Sequence, residues 1–447
     1  MESKLHFPQL PARLGGGLLL RRSTAADCEP LAVFNSRIHS DDGPDKPDEG
    51  VGSLARDMLS GKHPFMKPDD FTVVEEESSG RIVSSMCLIS QTWSFAGIPF
   101  KVGRPELVAT EPGFRDRGLV RMQFEVIHEW SRERGEIMQA ITGIPVYYRK
   151  FGYEMALDLG GSRTLYEPLL PKVKDEEALQ YTLRQAGEQD LEFIARIFAQ
   201  NLPRSLVTCV RNIEMWRFEL LGRSPVNVDR ADFYIVLDKE GRRVGVVVTL
   251  PNEGKNSLLI RAIELEPGID NFLAVRCIVN DLWKIMKTQA EVTGKPLSGI
   301  TFLFARSHKI YDLLGNSLQQ PRDPYAWYLR VPDVIGFIDM IRPVLNQRLA
   351  DSACSGFCGK LTLMHDHKGI EISFDKGVIS SVTASSQPNW SEYDAVFPGL
   401  TFLQLLFGYR SKGELEWSFA DFYTSDKADI LLPALFPVQP SRVWMVS

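Results

Sequence analysis

The chain has 447 residues, of which 44% are hydrophobic and 24% are charged. That length exceeds what one hydrophobic core supports, and it predicts about three globular domains. The net charge of -6 argues against nucleic acid as a partner, because binding phosphate groups needs a large basic excess. No apolar run approaches the roughly 20 residues of a membrane span, and no targeting segment is visible, so we expect no membrane partner.

The cysteine and histidine positions predict no metal centre. The six cysteines are scattered in mostly apolar surroundings, which is typical of reduced thiols in a cytoplasmic protein. Cys354 and Cys358 form a close pair, but their spacing is poor for zinc and no second pair completes a site. The His-Asp-His string at 365–367 lies between two strand-like runs, which predicts the tip of a hairpin.

The first part of the chain carries the pattern of a mixed sheet. A helix is predicted at 27–37, and an acidic loop rich in glycine and proline follows at 40–50. Two strands are predicted at 71–76 and 81–91, and a further turn stands at 97–99. The order is therefore strand, helix, loop and then two or three strands.

The stretch from 102 to 154 organises the rest of the chain. An apolar run ends at Thr110, and a basic turn at 115–118 leads into a helix predicted at 119–134. The first turn of a helix presents backbone N–H groups without intrahelical partners at the positive end of the helix dipole. Arg115 and Arg117 add positive charge, and Gly118 lets the backbone approach a ligand closely. The stretch predicts a cradle for a pyrophosphate group.

Two strings in this stretch narrow the kind of ligand. The dinucleotide string GxGxxG and the P-loop string GxxxxGK[ST] do not occur in the chain. Instead, the string RDRGLV at 115–120 is followed, a helix length later, by YYRKFGY at 147–153. Together they resemble the acyl-CoA signature of the GNAT acetyltransferases. The sixth position, usually Gly or Ala, is Val120 here, and the two strings are closest to the Eis (enhanced intracellular survival) type, whose members carry a bulkier residue there.

The resemblance implies which residues bind acetyl-CoA, the expected cosubstrate. The strand before the turn is bulged or splayed in this family, so that its backbone groups meet the pantetheine arm and the thioester oxygen. The implied cofactor-binding residues are Val108 and Thr110 on that strand, and Arg115, Arg117, Gly118, Leu119 and Val120 around the pyrophosphate.

The resemblance also implies two catalytic groups. Tyr148 stands beside the sulfur, where a phenol can donate a hydrogen bond or a proton to the departing thiolate; the alternative is a tyrosine that only packs between helix and strand. In Eis-type enzymes the terminal carboxylate of the chain is the expected general base, which makes Ser447 the candidate. The ending here departs from the aromatic ending of that type, so another carboxylate, or no base, stays open.

The chain then repeats itself. The string at 183–190 parallels that at 20–27, a Glu-Pro-Gly turn occurs at 111–113 and again at 266–268, and Tyr311 parallels Tyr148. The separation from the first leucine to the tyrosine is 148 − 20 = 128 in one copy and 311 − 183 = 128 in the other, which indicates a duplication. Aligned on the shared turn, Gly118 falls on Leu273 and the two arginines fall on Asp270 and Phe272. The second copy is therefore predicted to be a structural lobe without bound CoA.

The last region has a helix, sheet, helix pattern. A helix is predicted within 330–349, strands at 360–364, 370–374 and 377–383, and helices at 400–407 and 430–436. This pattern resembles the sterol-carrier-like domain that closes Eis-type chains, although lipid carriage does not follow from it. The predicted fold is α/β (α+β): a GNAT lobe at 1–175, a degenerate second GNAT-like lobe with a mixed sheet at 176–330, and a sterol-carrier-like domain at 331–447.

The function implied is acetyl-CoA-dependent transfer of an acetyl group to a primary amine of an aminoglycoside, a polyamine or a lysine side chain, by a cytoplasmic homo-oligomer. The five carboxylates of the 40–50 loop either attract such amines or only solvate a loop, and Trp93 and Phe95 either wall the acceptor site or belong to the core. A CoA-binding or ligand-sensing protein without turnover is the alternative. A lipid carrier would require a continuous apolar tunnel in the last domain.

Overall fold

Three β-sheets organise the chain. The structure, a computed structural model, describes residues 9–250, 256–294, 296–304 and 308–444. The strands are β1 Ala12–Leu14, β2 Leu18–Arg22, β3 Phe71–Glu76, β4 Arg81–Phe95, β5 Ile98–Thr110, β6 Met138–Ile141, β7 Glu154–Leu159, β8 Ser162–Tyr166, β9 Tyr181–Gln185, β10 Val207–Val210, β11 Asp232–Asp238, β12 Arg243–Leu250, β13 Ser257–Leu265, β14 Gly299–Phe302, β15 Leu318–Arg322, β16 Tyr325–Arg330, β17 Gly359–His365, β18 Lys368–Asp375, β19 Val378–Ser385, β20 Ala395–Phe397 and β21 Tyr423–Thr424.

The helices lie on the faces of these sheets. They are α1 Cys28–Ile38, α2 Glu49–Leu59, α3 Leu119–Glu133, α4 Asp175–Ala178, α5 Leu191–Asn201, α6 Ile213–Arg217, α7 Asn271–Thr293, α8 Lys309–Leu314, α9 Val334–Met340, α10 Arg342–Ala350, α11 Phe402–Leu406, α12 Lys412–Ser418 and α13 Asp426–Leu435. Of the helices in the described ranges, none combines the length and the apolar character that a membrane crossing requires.

The first sheet has the order β1-β2-β3-β4-β5-β6-β16-β7, with β10 paired to the far end of β4. Helix α3 buries Phe124, Ile127 and Trp130 on one face of this sheet, and helices α1 and α2 bury Leu31 and Met58 on the other. Because side chains alternate along a strand, β4 supplies apolar residues to both cores. Burial of each apolar side chain of this size stabilises the folded state by about 1.5–3 kcal/mol. The helices on both faces therefore hold the sheet in place.

The second sheet, β15-β8-β14-β13-β12-β11-β9, repeats the plan of the first. The duplication is visible in one ion pair at the start of each lobe. Arg21 binds Asp27 with an Nη2–Oδ1 distance of 2.8 Å, and Arg184 binds Asp190 with an Nη1–Oδ2 distance of 2.7 Å. In both lobes the aspartate follows the arginine by six positions and also accepts a hydrogen bond from a backbone N–H of the intervening turn. The two lobes therefore share local detail as well as sheet order.

The two lobes exchange strands across the boundaries that the sequence predicts. Strand β8 precedes residue 175 but belongs to the second sheet, where it pairs with β14 and β15. Strand β16 precedes residue 331 but inserts into the first sheet between β6 and β7. Strand β10 also lies within 176–330 and pairs with β4 of the first sheet, so the segments 1–175 and 176–330 are interleaved.

The third sheet, β19-β18-β17-β20-β21, carries helices α9 to α13. The prediction of a single helix within 330–349 is wrong in detail. The helix is interrupted at Ile341, and α10 begins after it with Pro343 in its first turn. Proline lacks the N–H that a continuous helix needs there. The segment after α13 returns to the lobes: Leu206 donates its backbone N–H to the Pro440 carbonyl at 2.8 Å, and Trp444 is buried against Phe233.

Candidate active site

The turn before α3 is open to a ligand. Gly118 is the N-cap of this helix and has φ of +74°, a left-handed conformation that glycine adopts without steric cost. No side chain of the described residues caps the helix at Gly118, so its first N–H groups keep their capacity to bind. Arg115 and Arg117 are exposed and donate to backbone carbonyls of the same turn, Thr110 O at 3.4 Å and Gly113 O at 3.1 Å.

Strand β5 is bulged and splayed before that turn. Its register with β4 shifts between Ser85 and Cys87, and Leu107 has φ of +51°. Its parallel pairing with β6 covers Val102 and Gly103 alone among the described residues. Beyond that point the edge of β5 that carries Val108 diverges from β6. Beyond Gly103, the side of β5 that faces β6 therefore has no strand partner in the described residues, and β5 ends at Thr110, shortly before the start of α3.

Tyr148 lies in a short 3-10 helix, Tyr147–Phe151, which follows β6 in the chain. Its side chain is 5% exposed, and its ring packs edge-on against Phe124 and Tyr328 at centroid distances of 6.0 and 5.5 Å. Burial, with a smaller effect of the nearby Glu106 charge, raises the pKa of Tyr148. The hydroxyl therefore keeps its proton at neutral pH, which suits a donor and not a base. The packing role and the donor role are compatible here.

Solved structures share this architecture. A GCN5-related N-acetyltransferase from Kribbella flavida aligns with 16% identity over 95% of this chain and 97% of that one, with a TM-score of 0.65. A protein from Enterococcus faecalis V583 entitled a probable N-acyltransferase aligns with 14% identity over 95% and 97%, TM-score 0.66. Eis1 from Mycobacterium abscessus aligns with 13% identity over 94% and 98%, TM-score 0.58. These structural superpositions show that the chain has an Eis-like fold over nearly its whole length.

The sequence of the first lobe gives the family. The profile of the acetyltransferase (GNAT) domain matches residues 42–156. A search of curated protein sequences finds no match. The first lobe is a GNAT acetyltransferase domain. Domains of this family use acyl-CoA and acetylate amines, so the match places the open turn and the splayed strand in the part of the chain that carries the family signature.

Strand β16 completes the acetyltransferase lobe from outside its own segment. Tyr325 donates its hydroxyl to the Gly143 carbonyl at 2.9 Å, and the Tyr328 hydroxyl accepts the Val146 N–H at 2.6 Å. These bonds hold the loop beside Tyr148, where a Cβ placed on Gly143 would lie 3.2 Å from the Tyr148 hydroxyl. No local pattern in the sequence indicates this contribution, because β16 lies far along the chain from the loop that it holds.

A buried polar network fixes the end of β5 in the acetyltransferase lobe. Gln123, on the buried face of α3, donates to Ser84 Oγ at 2.7 Å and accepts from Thr72 Oγ1 at 2.9 Å. Ser84 in turn bonds Thr110 Oγ1 at 2.7 Å. The chain joins α3 to three strands and so sets the position of Thr110. A glutamine on an otherwise apolar helix face was the sequence signal for it.

A charged pair that the sequence reading missed lies on the same strand. Arg104 is fully buried, and its Nη2 lies 2.5 Å from Oε2 of Glu106. Burial raises the pKa of the Glu106 carboxyl, and Arg104 opposes that effect. Glu106 also influences Tyr148 electrostatically, which places a carboxyl group within range of the candidate donor.

The remaining candidate residues divide into structural and exposed ones. Asp48 caps α2 through the N–H groups of Gly50 and Val51, whereas Asp41, Asp42 and Asp45 are exposed. Trp93 and Phe95 are fully buried, so the core interpretation of both is the right one. His128 binds the Tyr153 hydroxyl at 2.8 Å, and burial, with a smaller effect of Arg330, lowers its pKa to about 3, which indicates a structural role. Ser447 lies outside the described residues.

The second lobe differs from the acetyltransferase lobe at the corresponding points. Helix α7 starts at Asn271, so Asp270, and not Leu273, stands where Gly118 stands in the first lobe. The Asp270 carboxylate accepts the Leu273 N–H at 3.2 Å and thus occupies the helix terminus itself. The Tyr311 hydroxyl donates to the Phe302 carbonyl at 3.2 Å. Within the described ranges, no cluster of histidine, cysteine and acidic side chains has the make-up of a metal site.

Proposed function

We propose that the protein is an acetyl-CoA-dependent N-acetyltransferase that acylates a primary amine. The observation that carries this proposal is the open N-terminus of α3 behind Gly118, next to the split between β5 and β6, in a lobe of the GNAT family. These features fit an acyl-CoA: helix N–H groups suit its phosphates, and an unpaired strand edge suits its amide-bearing arm. A Cβ placed on Gly118 meets nothing within 4 Å, so that side of the turn is spacious.

Each residue then has a proposed task. Backbone groups of residues 117–120, with Arg115, hold the pyrophosphate, and backbone groups of Val108 and Thr110 orient the arm and polarise the thioester carbonyl. Tyr148 donates a proton or a hydrogen bond to the leaving thiolate. Its raised pKa keeps the hydroxyl protonated and favours the hydrogen bond over full proton transfer. The amine loses its proton to a carboxylate, for which we propose the terminal group of Ser447, with Glu106 as the alternative.

The acceptor class is an aminoglycoside, a polyamine or a lysine side chain. The exposed carboxylates of Asp41, Asp42 and Asp45 support a cationic acceptor, because a negative rim attracts polyamines. We further propose that the second lobe binds no CoA, which its self-capped helix supports. The homo-oligomeric state, the cytoplasmic location and the domain boundaries stay predictions.

The proposal is tested by thiol release from acetyl-CoA across a panel of aminoglycosides, polyamines and lysine peptides. Gly118→Trp should abolish release by filling the turn, while Gly241→Trp is the matched control, because Gly241 also has positive φ and open surroundings but lies in a turn of the second lobe. If the wild-type protein and Gly241→Trp release thiol with one amine class and Gly118→Trp does not, that class is the acceptor. Saturable CoA binding with no release from any amine would instead favour a sensor without turnover.

The two candidate bases are separated by two variants. Extending the chain beyond Ser447 by two glycines should lower kcat at least tenfold if the terminal carboxylate is the base, because the charge is moved away from its position. Glu106→Gln keeps the shape of the side chain and removes its basicity. Full activity of the extended chain together with loss in Glu106→Gln would transfer the role to Glu106.

A further inference from the structure

A cavity of about 470 Å³ lies in the second lobe, within the size range of small-molecule sites. Its walls come from the end of β13, the turn at 266–268, the starts of α7 and α8, helix α5, the segment 202–211 that contains β10, Trp216 of α6, and the C-terminal segment 440–444. The first four of these elements are the counterparts of β5, the turn at 111–113, α3 and the Tyr148 helix. The duplication has therefore kept a hollow at the corresponding place in the fold.

The residues around this cavity do not suit the ligand that is proposed for the first lobe. The start of α7 is capped by its own Asp270, and the Tyr311 hydroxyl is held by backbone carbonyls. Neither group is available in the way that its counterpart is. The other side chains of the cavity wall therefore decide which ligand the cavity can bind.

The cavity wall carries a surplus of positive charge. Its cationic residues are Arg204, Arg211, Lys309 and Arg442, and its acidic residues are Glu264 and Glu266. Four minus two gives a formal charge of +2 for the wall. Both carboxylates already have partners within the protein: Glu264 accepts from Arg442 at 2.9 Å and from Asn201 at 2.7 Å, and Glu266 pairs with Arg196 at 2.6 Å.

Two cations at this wall retain binding capacity. Arg204 is 51% exposed and lies 3.7 Å from Glu264, which is a loose contact. Lys309 is exposed, and within the described residues it has no ion pair. Both influence His308, whose pKa is lowered to about 3 chiefly by burial and further by the charges of Arg442, Arg204 and Lys309. His308 is therefore neutral at pH 7 and adds no charge of its own to the cavity wall.

Apolar and aromatic side chains also line the cavity. The Arg211 guanidinium lies between the rings of Trp216 and Trp444, 4.8 and 4.3 Å from their centroids. The other apolar walls are Ala195, Phe198, Ile263, Val275 and Leu313. Such a surface suits a flat hydrocarbon body.

We propose that this cavity binds a small carboxylate with an aromatic or aliphatic body, its charge placed at Arg204 and Lys309 and its body against the apolar wall. A cationic amine is disfavoured by the net positive wall, so the site is distinct from the amine site of the proposed acetyltransferase. The bound molecule would also contact the segment 440–444, which forms one side of the cavity.

The probe for this proposal is 3-phenylpropionate, titrated into the full chain by isothermal calorimetry, with 3-phenylpropanamide as its neutral match. The carboxylate should bind at least tenfold more tightly than the amide, and the double variant R204M/K309M should lose that difference while K239M, which removes an exposed lysine elsewhere, keeps it. Leu313→Trp should lower the affinity at least tenfold by filling the cavity. Thermal melts confirm that each variant is folded.

The proposal is overturned if neither 3-phenylpropionate nor octanoate binds saturably, if acid and amide bind equally, or if the double variant keeps the preference. Binding is read without any acyl transfer. Tyr148→Phe, which disables the proposed catalytic donor, should leave the affinity for 3-phenylpropionate unchanged. Failure of this site and failure of the transferase are therefore separate results.

Discussion

Replacing Gly118 by alanine separates ligand binding from folding in the first lobe. Gly118 has φ of +74°, and an added Cβ meets nothing within 4 Å, so the folded protein pays only the left-handed strain, about 1–2 kcal/mol. Gly241 has φ of +78° with equally open surroundings. Gly118→Ala and Gly241→Ala should therefore lower Tm by similar amounts, a few degrees for lobes of this size.

The two variants should differ in their use of acetyl-CoA. Only at Gly118 does the new methyl group enter the space at the start of α3, where the pyrophosphate is proposed to bind. Crowding of one methyl group in a close contact costs about 1–3 kcal/mol, which corresponds to roughly a 5- to 150-fold rise in the dissociation constant. The KM for acetyl-CoA should rise in Gly118→Ala and stay at the wild-type value in Gly241→Ala.

The assay is thiol release at a saturating amine concentration, accompanied by calorimetric titration of CoA. Calorimetry matters because KM equals a dissociation constant only when chemistry is slow. If both variants keep the wild-type affinity for CoA and lose equal amounts of Tm, the assignment of the Gly118 turn as the pyrophosphate cradle is refuted. A loss in both would show that the effect is one of stability.

Three further changes test the rest of the lobe. Tyr148→Phe should lower kcat about a hundredfold if the hydroxyl is the proton donor, whereas Tyr311→Phe should leave kcat unchanged; equal kcat values in a thiol-release assay would reject the donor role. Gln123→Leu should reduce the free energy of unfolding by about 1–3 kcal/mol, because it removes two buried hydrogen bonds, one to Ser84 Oγ and one from Thr72 Oγ1, as urea titration measures. Burial raises the pKa of Asp27, but hydrogen bonds from Arg21 and Thr24 outweigh burial and lower it below 3.8. Its stabilisation is therefore present above pH 3.8 and lost as the pH falls further, so Asp27→Asn should flatten the decline of the urea midpoint in that acid range.

The sequence predicted the local elements of the first lobe well, because their patterns are short. Strand β3 was predicted with its observed bounds, and α3 was predicted within one residue of its observed end. A glycine before an amphipathic run defines a helix start without reference to the rest of the fold. The duplication was equally visible, since repeated strings need no knowledge of contacts.

What the sequence did not reveal depends on pairing between distant segments. The exchange of β8 and β16 between sheets brings Tyr325 beside Gly143, and no local pattern encodes a partner so far along the chain. The electrostatic effect of Glu106 on Tyr148 likewise joins residues that lie far apart in the sequence. The break between α9 and α10 is different, since Pro343 marked it and the apolar period masked it.

The two lobes show how one residue at a helix start divides stability from ligand binding. A carboxylate N-cap stabilises a helix by about 1 kcal/mol, and Asp270 obtains this by bonding Leu273 N–H; the same bond removes a donor that an anion would use. Gly118 forgoes a side-chain cap and leaves those donors open. The two tyrosines differ in the same way, because the Tyr311 hydroxyl donates to a backbone carbonyl of its own lobe. In the second lobe, the helix start and the tyrosine hydroxyl are thus bonded within the protein, whereas the corresponding groups of the first lobe are proposed to bind the cosubstrate. The ligand proposed for the second lobe would instead bind side chains that the first lobe does not share.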